Sequence, residues 1–239
     1  MKNLLLLSSS RVHGKTYFEH CRSAIADHFS GARNIVFVPY AMKGHDGYET
    51  LVKLSLKKAG IDIKSIHHAA NPAAAIAEAD GIFVGGGNSF RLLKTLYEMQ
   101  LLDPIKQAVQ GGSLAYMGSS AGTNMACPTI RTTNDMPIVK PPSFDALGLV
   151  PFQINPHYID ADPNSTHQGE TREMRLFEFH QENSAPVVGL REGSWLKING
   201  DSCELCGETG MKLFRRGEMA EECKAGDISF LMRSDLPAM

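Results

Sequence analysis

Two periods alternate in the apolar positions of the first half of the chain. NLLLLSS (3–9) is a short unbroken apolar run, the pattern of a strand buried on both faces. TYFEHCRSAIADHF (16–29) then carries apolar residues at helical spacing, and NIVFVPYA (34–41) returns to a β-branched run. GYETLVKLSLKKAG (47–60) predicts a helix closed by Gly60. DIKSIHH (62–68) predicts a third strand, and NPAAAIAEAD (71–80) a short helix with Pro72 in its first turn. GIFVGGG (81–87) predicts a fourth strand, NSFRLLKTLYEMQLLDPIKQAVQ (88–110) one or two helices, and SLAYMG (113–118) a fifth strand. This alternation predicts an α/β fold, a mostly parallel central sheet with helices on both faces.

The second half reads differently. LVPFQINPHY (149–158) and APVVGL (185–190) predict strands separated by a helix over GETREMRLFEFHQEN (169–183). From Ser194 onward, SWLKING, SCELCGE and MKLFRRGE predict an antiparallel hairpin set at the sheet edge near the C-terminus.

With 239 residues, 43% of them hydrophobic, the chain can bury a core without disulfide or metal staples. No repeat, low-complexity segment or linker divides it, so one α/β domain over 1–239 is expected. A net charge of −2 without a Lys/Arg run excludes nucleic acid as a partner. MKNLLLLSSS has one Lys before four leucines, but the run is too short for a signal-peptide core and no small-residue cleavage site follows. No stretch approaches the ~20 apolar residues of a membrane span, so no membrane partner is expected. Asn164-Ser165-Thr166 is a glycosylation sequon without meaning unless the chain is secreted. Five cysteines, an odd number, read as free thiols in a reducing compartment, and the cytoplasm is the expected location. Cys203-x-x-Cys206, with Cys223 further on, lacks the remaining ligands of a zinc site, so no metal or cofactor is expected.

Candidate chemistry centres on GSSAG (118–122). It matches G-x-S-x-G with Ser120 at its centre, after a predicted strand and before AGTNMA, which can open a helix. Such a turn leaves no room for a Cβ on either side of the serine, and Ser119 occupies the variable position. A serine hydroxyl needs a base. Among nine histidines, His13, His20, His28 and His45 precede the turn in loop or helix patterns, the His67-His68 pair ends a strand, and His180 reads as a surface residue of a helix. His157 follows a strand and a proline, placing it at a strand end, with His167 in a polar loop as the runner-up. Two carboxylates compete to orient the base, Asp135 in RTTNDMP and Glu192 in GLREGSW. VGGGNSF (84–90) ends a strand and opens a helix. Phe90 spoils a dinucleotide fingerprint, and no G-K-[ST] makes it a phosphate loop. The amides of Gly87 or Asn88, paired with that of Ala121, are candidates for an oxyanion hole.

VGGGNSFRLLK, GSSAGTNMACPTIRTTNDMPIV, FDALGLVPFQINPHY, GETRE and GLREGSW together resemble the peptidase E (α-aspartyl dipeptidase) family of serine exopeptidases. The resemblance runs in order over nearly the whole chain and is weakest after Trp195. Ser119 stands where bacterial members usually carry a tryptophan, GWSAG. The resemblance implies a fold similar to class I glutamine amidotransferases, a cytosolic enzyme cleaving Asp-X dipeptides, and no metal. It implies Ser120 as nucleophile, His157 as base, and either Glu192 or Asp135 as the acid. Arg172 matches the position of a clamp for the substrate aspartate, with Arg131 as the alternative, because a guanidinium grips a carboxylate at two points. The expected partner is a small acidic dipeptide, and a homodimer is compatible with the chain. Cyanophycinase-like or isoaspartyl peptidase activity, and a non-catalytic anion-binding protein on the same fold, are the alternatives.

Overall fold

The computed structural model describes residues 1–166 and 168–233. His167 therefore lies outside the described residues. The strands are β1 (Asn3–Leu7), β2 (Ile35–Val38), β3 (Lys64–Ser65), β4 (Gly81–Val84), β5 (Ala115–Ser119), β6 (Gln153–Tyr158), β7 (Val187–Arg191), β8 (Ser194–Asn199), β9 (Ser202–Gly207), β10 (Met211–Phe214), β11 (Glu221–Cys223) and β12 (Gly226–Asp227). The α-helices are α1 (Arg22–His28), α2 (His45–Lys57), α3 (Pro72–Ala77), α4 (Ser89–Glu98), α5 (Leu102–Gly111), α6 (Ala121–Ala126) and α7 (Arg172–Glu182).

The main sheet has eight strands in the order β12-β9-β8-β1-β5-β4-β2-β3. The five strands from β1 to β3 are parallel, as the alternating pattern requires. Period-2 geometry explains their unbroken apolar runs. Leu4, Leu6, Val36, Val38, Ile82 and Val84 face one layer with α3 to α6, and Leu5, Leu7, Phe37 and Phe83 face the other with α1 and α2. The antiparallel edge forms with β8 and β9 as expected, and β12, which the sequence reading did not name, completes it.

Three details differ from the sequence reading. β6 and β7 leave the main sheet and form a second one, β11-β10-β7-β6, with β6 and β7 parallel. β10 joins that sheet rather than the main edge because pairing Met211 with Leu190 covers the open side of β7. The third strand shrinks to Lys64–Ser65 at the sheet edge, and Ile66–His68 turn into a 3-10 helix. His180 is buried, 4% exposed, with Nδ1 facing the Asn183 carbonyl, because α7 packs this flank inward onto the second sheet.

Candidate active site

β5 ends at Ser119 and α6 begins at Ala121, leaving Ser120 alone in the turn at φ 53, ψ −109. A side chain with positive φ is strained, by roughly 1–3 kcal/mol, and the surroundings hold it there. Ser120 N–H donates to the Leu7 carbonyl at 3.1 Å, and the Ser120 carbonyl accepts from Thr123 and Asn124. The flanking glycines are required by close approach. A Cβ on Gly122 would collide with the Val84 carbonyl, and one on Gly118 would lie 2.5 Å from the Gly122 carbonyl. This is the strand–turn–helix that GSSAG predicts.

Ser120 Oγ lies 2.9 Å from His157 Nε2, and His157 Nδ1 lies 2.5 Å from Glu192 Oε1. The parallel pairing of β6 with β7 brings the last two together. The ladder runs Pro156 with Leu190, then skips to Tyr158 with Arg191, so His157 bulges out at φ 53. Glu192 follows the last residue of β7. A buried hydroxyl from a third strand end locks the bulge: Ser8 Oγ accepts the His157 N–H at 2.9 Å and donates to the Leu190 carbonyl at 2.8 Å. Below it, Arg191 grips Asp160 through Nε and Nη2, and Glu222 through Nη1 and Nη2, binding the ends of β6, β7 and β11 into one unit. Neither Ser8 nor Arg191 carries a sequence signal; their roles depend on strand register.

Asp135 is not in this line. Its Oδ2 accepts the Ser89 N–H at 2.7 Å and the Ser89 hydroxyl at 2.6 Å, at the first residue of α4. It lines a cleft of about 570 Å³ with Phe90, Arg131, Thr133, Phe144 and Arg175. Arg131 stacks over the Phe144 ring at 5.1 Å. Arg172 starts α7 and has no ion pair among the described residues; Glu170 pairs with Arg175 and Glu173 with Lys212. Burial and the neighbouring Arg175 lower the Arg172 pKa, and the negative charge of Asp135 opposes them. A second cleft, about 470 Å³, opens in front of His157 and Glu192 and is lined by Arg11, His13 and Lys15.

The glycine loop separates its amides. Asn88 N–H is committed to the Ala41 carbonyl at 3.0 Å, while its side chain caps α4, so Asn88 drops out as an oxyanion donor. Its amide turns away because Gly87, at φ 134, is pressed on Ala41, where a Cβ would sit 2.6 Å from the carbonyl. Gly87 and Ala121 N–H groups have no partner among the described residues, and Gly86 abuts Ser120, where a Cβ would meet the Ser120 Cβ at 3.2 Å. Cys203 and Cys206 stand three residues apart on β9 and so face opposite sides of the sheet, and all five cysteines are free. Burial pushes the Cys203 thiol up to about 12.

A hydroxyl, an imidazole and a carboxylate in one hydrogen-bonded line, at the carboxyl ends of strands with a strained serine turn, are the constellation of a serine hydrolase on an α/β fold. The comparisons narrow this. Residues 4–206 match the model of Peptidase family S51, and the chain belongs to that family. A protein of Streptomyces coelicolor named "Peptidase E" is 56% identical over 231 residues, covering 96% of this chain and 95% of its own. A Drosophila melanogaster protein named "Probable alpha-aspartyl dipeptidase" is 48% identical, covering 97% and 98%. The solved structure of a peptidase from an acI-B1 actinobacterium shares the fold at TM-score 0.65 and 18% identity, over 95% of each chain. Among the described residues, no helix is long and apolar enough to cross a membrane.

Proposed function

We propose that this chain is an α-aspartyl dipeptidase that hydrolyses Asp-X dipeptides through a seryl intermediate. The observation that carries the reading is the unbroken line Ser120 Oγ to His157 Nε2 to Glu192, at 2.9 and 2.5 Å. Glu192 holds the Nδ1 proton of His157, leaving Nε2 as the base. Ser120 Oγ attacks the scissile carbonyl as Nε2 takes its proton. The Gly87 and Ala121 N–H groups receive the developing oxyanion. His157 returns the proton to the leaving amine of X, then draws a proton from the attacking water and passes it to Ser120 Oγ as the acyl–oxygen bond breaks and aspartate leaves. Two opposite charges suit an amino-terminal aspartate: Arg172 for its side-chain carboxylate, and Asp135 for its ammonium. The names of the relatives support this substrate, and the free thiols support a reducing compartment, the cytoplasm.

A panel of Asp-Leu, isoAsp-Leu and Glu-Leu tests the assignment. Asp-Leu is expected to have the highest kcat/KM. Preference for isoAsp-Leu overturns the α-aspartyl reading and favours the cyanophycinase-like one. Failure of all three, with no labelling of Ser120 by a serine-directed phosphonate, overturns the enzyme reading and favours an anion binder.

A further inference from the structure

At the parallel edge of the main sheet, in residues that take no part in the Ser120–His157–Glu192 line, two imidazoles and two carboxylates converge. Asp46 and Glu49 lie three residues apart, on one face of the first turn of α2. His67 and His68 occupy the 3-10 turn after β3, with ring centroids 3.8 Å apart. His67 Nε2 is 2.9 Å from Asp46 Oδ1, His68 Nε2 is 2.8 Å from Glu49 Oε2, and His68 Nε2 is 3.8 Å from Asp46 Oδ1. All four donor atoms lie within 4.8 Å of one another. A tetrahedral zinc site with bonds of about 2.0–2.2 Å has ligand–ligand edges of about 3.3–3.6 Å. The observed separations bracket that edge, so small side-chain rotations complete the cage.

We propose that Asp46, Glu49, His67 and His68 bind one divalent cation of the zinc class. Imidazole with carboxylate is the donor set of that class, whereas calcium and magnesium take oxygen cages. The surroundings are built for it. Ser65 Oγ lies 2.6 Å from His67 Nδ1 and orients the ring so that Nε2 faces the carboxylates, the supporting bond that metal-ligating histidines use. Glu49 is 7% exposed, and Lys53 holds its other oxygen at 2.7 Å, leaving Oε2 for the ion. A cleft of about 380 Å³, lined by Glu49, Lys53, Ser65 and His68, admits an ion from solvent. The hydrogen bonds of the four side chains run to one another, to Ser65 and to Lys53, none to Ser120, His157 or Glu192, so the ion joins α2 to the sheet edge and supplies no group to hydrolysis.

The test titrates chelator-treated full-length protein with Co²⁺, following ligand-field absorbance, and measures thermal unfolding with and without Zn²⁺. One Co²⁺ per chain is expected, with the intense visible bands of tetrahedral coordination. Zn²⁺ in hundredfold excess over its Kd is expected to raise Tm by roughly 5–10 °C. His68→Ala and Asp46→Asn, both at exposed positions, are each expected to weaken binding more than about 100-fold, beyond what loss of a supporting residue costs. Dipeptide hydrolysis without added metal is expected to be the same in all three proteins. Non-saturating or weak octahedral-type bands, or affinity and Tm shifts that survive both substitutions, overturn the site and leave two ordinary histidine–carboxylate pairs.

Discussion

Ser119 is wholly buried, and its Oγ has no hydrogen-bond partner, whereas its neighbour Ser120 bonds a histidine. A buried hydroxyl without a partner costs about 1–3 kcal/mol. Ser119→Ala is therefore expected to keep full activity and to unfold at equal or slightly higher denaturant concentration, while Ser120→Ala abolishes turnover. The two candidate acids also separate at this scale. Glu192 touches the imidazole, and Asp135 is held by Ser89 at the start of α4. Glu192→Gln favours the wrong tautomer and is expected to lower kcat by roughly 10²–10⁴ with little change in KM. Asp135→Asn is expected to act mainly on KM. The reverse pattern in steady-state kinetics would exchange their roles.

Elements bring these side chains into range, and the strongest tie between them is Arg191. It is the last residue of β7, it grips Asp160 two residues beyond β6, and it holds Glu222 on β11. Both carboxylates are about half exposed, so their pairs contribute at most about 1 kcal/mol of stability each. Their effect on placement is larger, since Glu192 is the next residue and His157 sits in the bulge beside it. Arg191→Met is expected to lower kcat about tenfold or more while moving Tm by only a few degrees. Much of this level was legible from the apolar pattern: the parallel strands, the helices on both faces and the strand–turn–helix at Ser120. The separate sheet of β6, β7, β10 and β11 was not. A run such as MKLF reads as a strand whichever partner it takes, and pairing between distant segments leaves no local trace. Asn88 shows the same limit, because whether its amide is free depends on Ala41, a residue on another loop.

For the whole molecule, the apolar layer that begins with Leu4 and Leu6 runs without a break to Val188, Leu190 and Met211 of the second sheet, so one cooperative unfolding transition is expected. Acid is expected to weaken that transition through His28. Burial lowers its pKa in the fold from 6.5 to about 4. The unfolded chain then binds more protons than the fold between those values, so stability is complete above pH 6.5 and declines as pH falls toward 4. Between pH 7 and 4.5 this loss amounts to about 2 kcal/mol, read from urea midpoints, and His28→Leu is expected to remove that part of the slope.

Sequence alone determined the class of fold and the serine turn and singled out His157 ahead of His167, because each signal is written in contiguous residues: apolar period, flanking glycines, a histidine after a strand-like run and a proline. Tertiary structure decided the rest. Glu192 rather than Asp135 meets His157, Ser8 and Arg191 hold the strand ends in place, and His67 and His68 reach two carboxylates twenty residues earlier. Each of these depends on which strand ends lie side by side, and register is set by packing of the whole core rather than by any local stretch of chain.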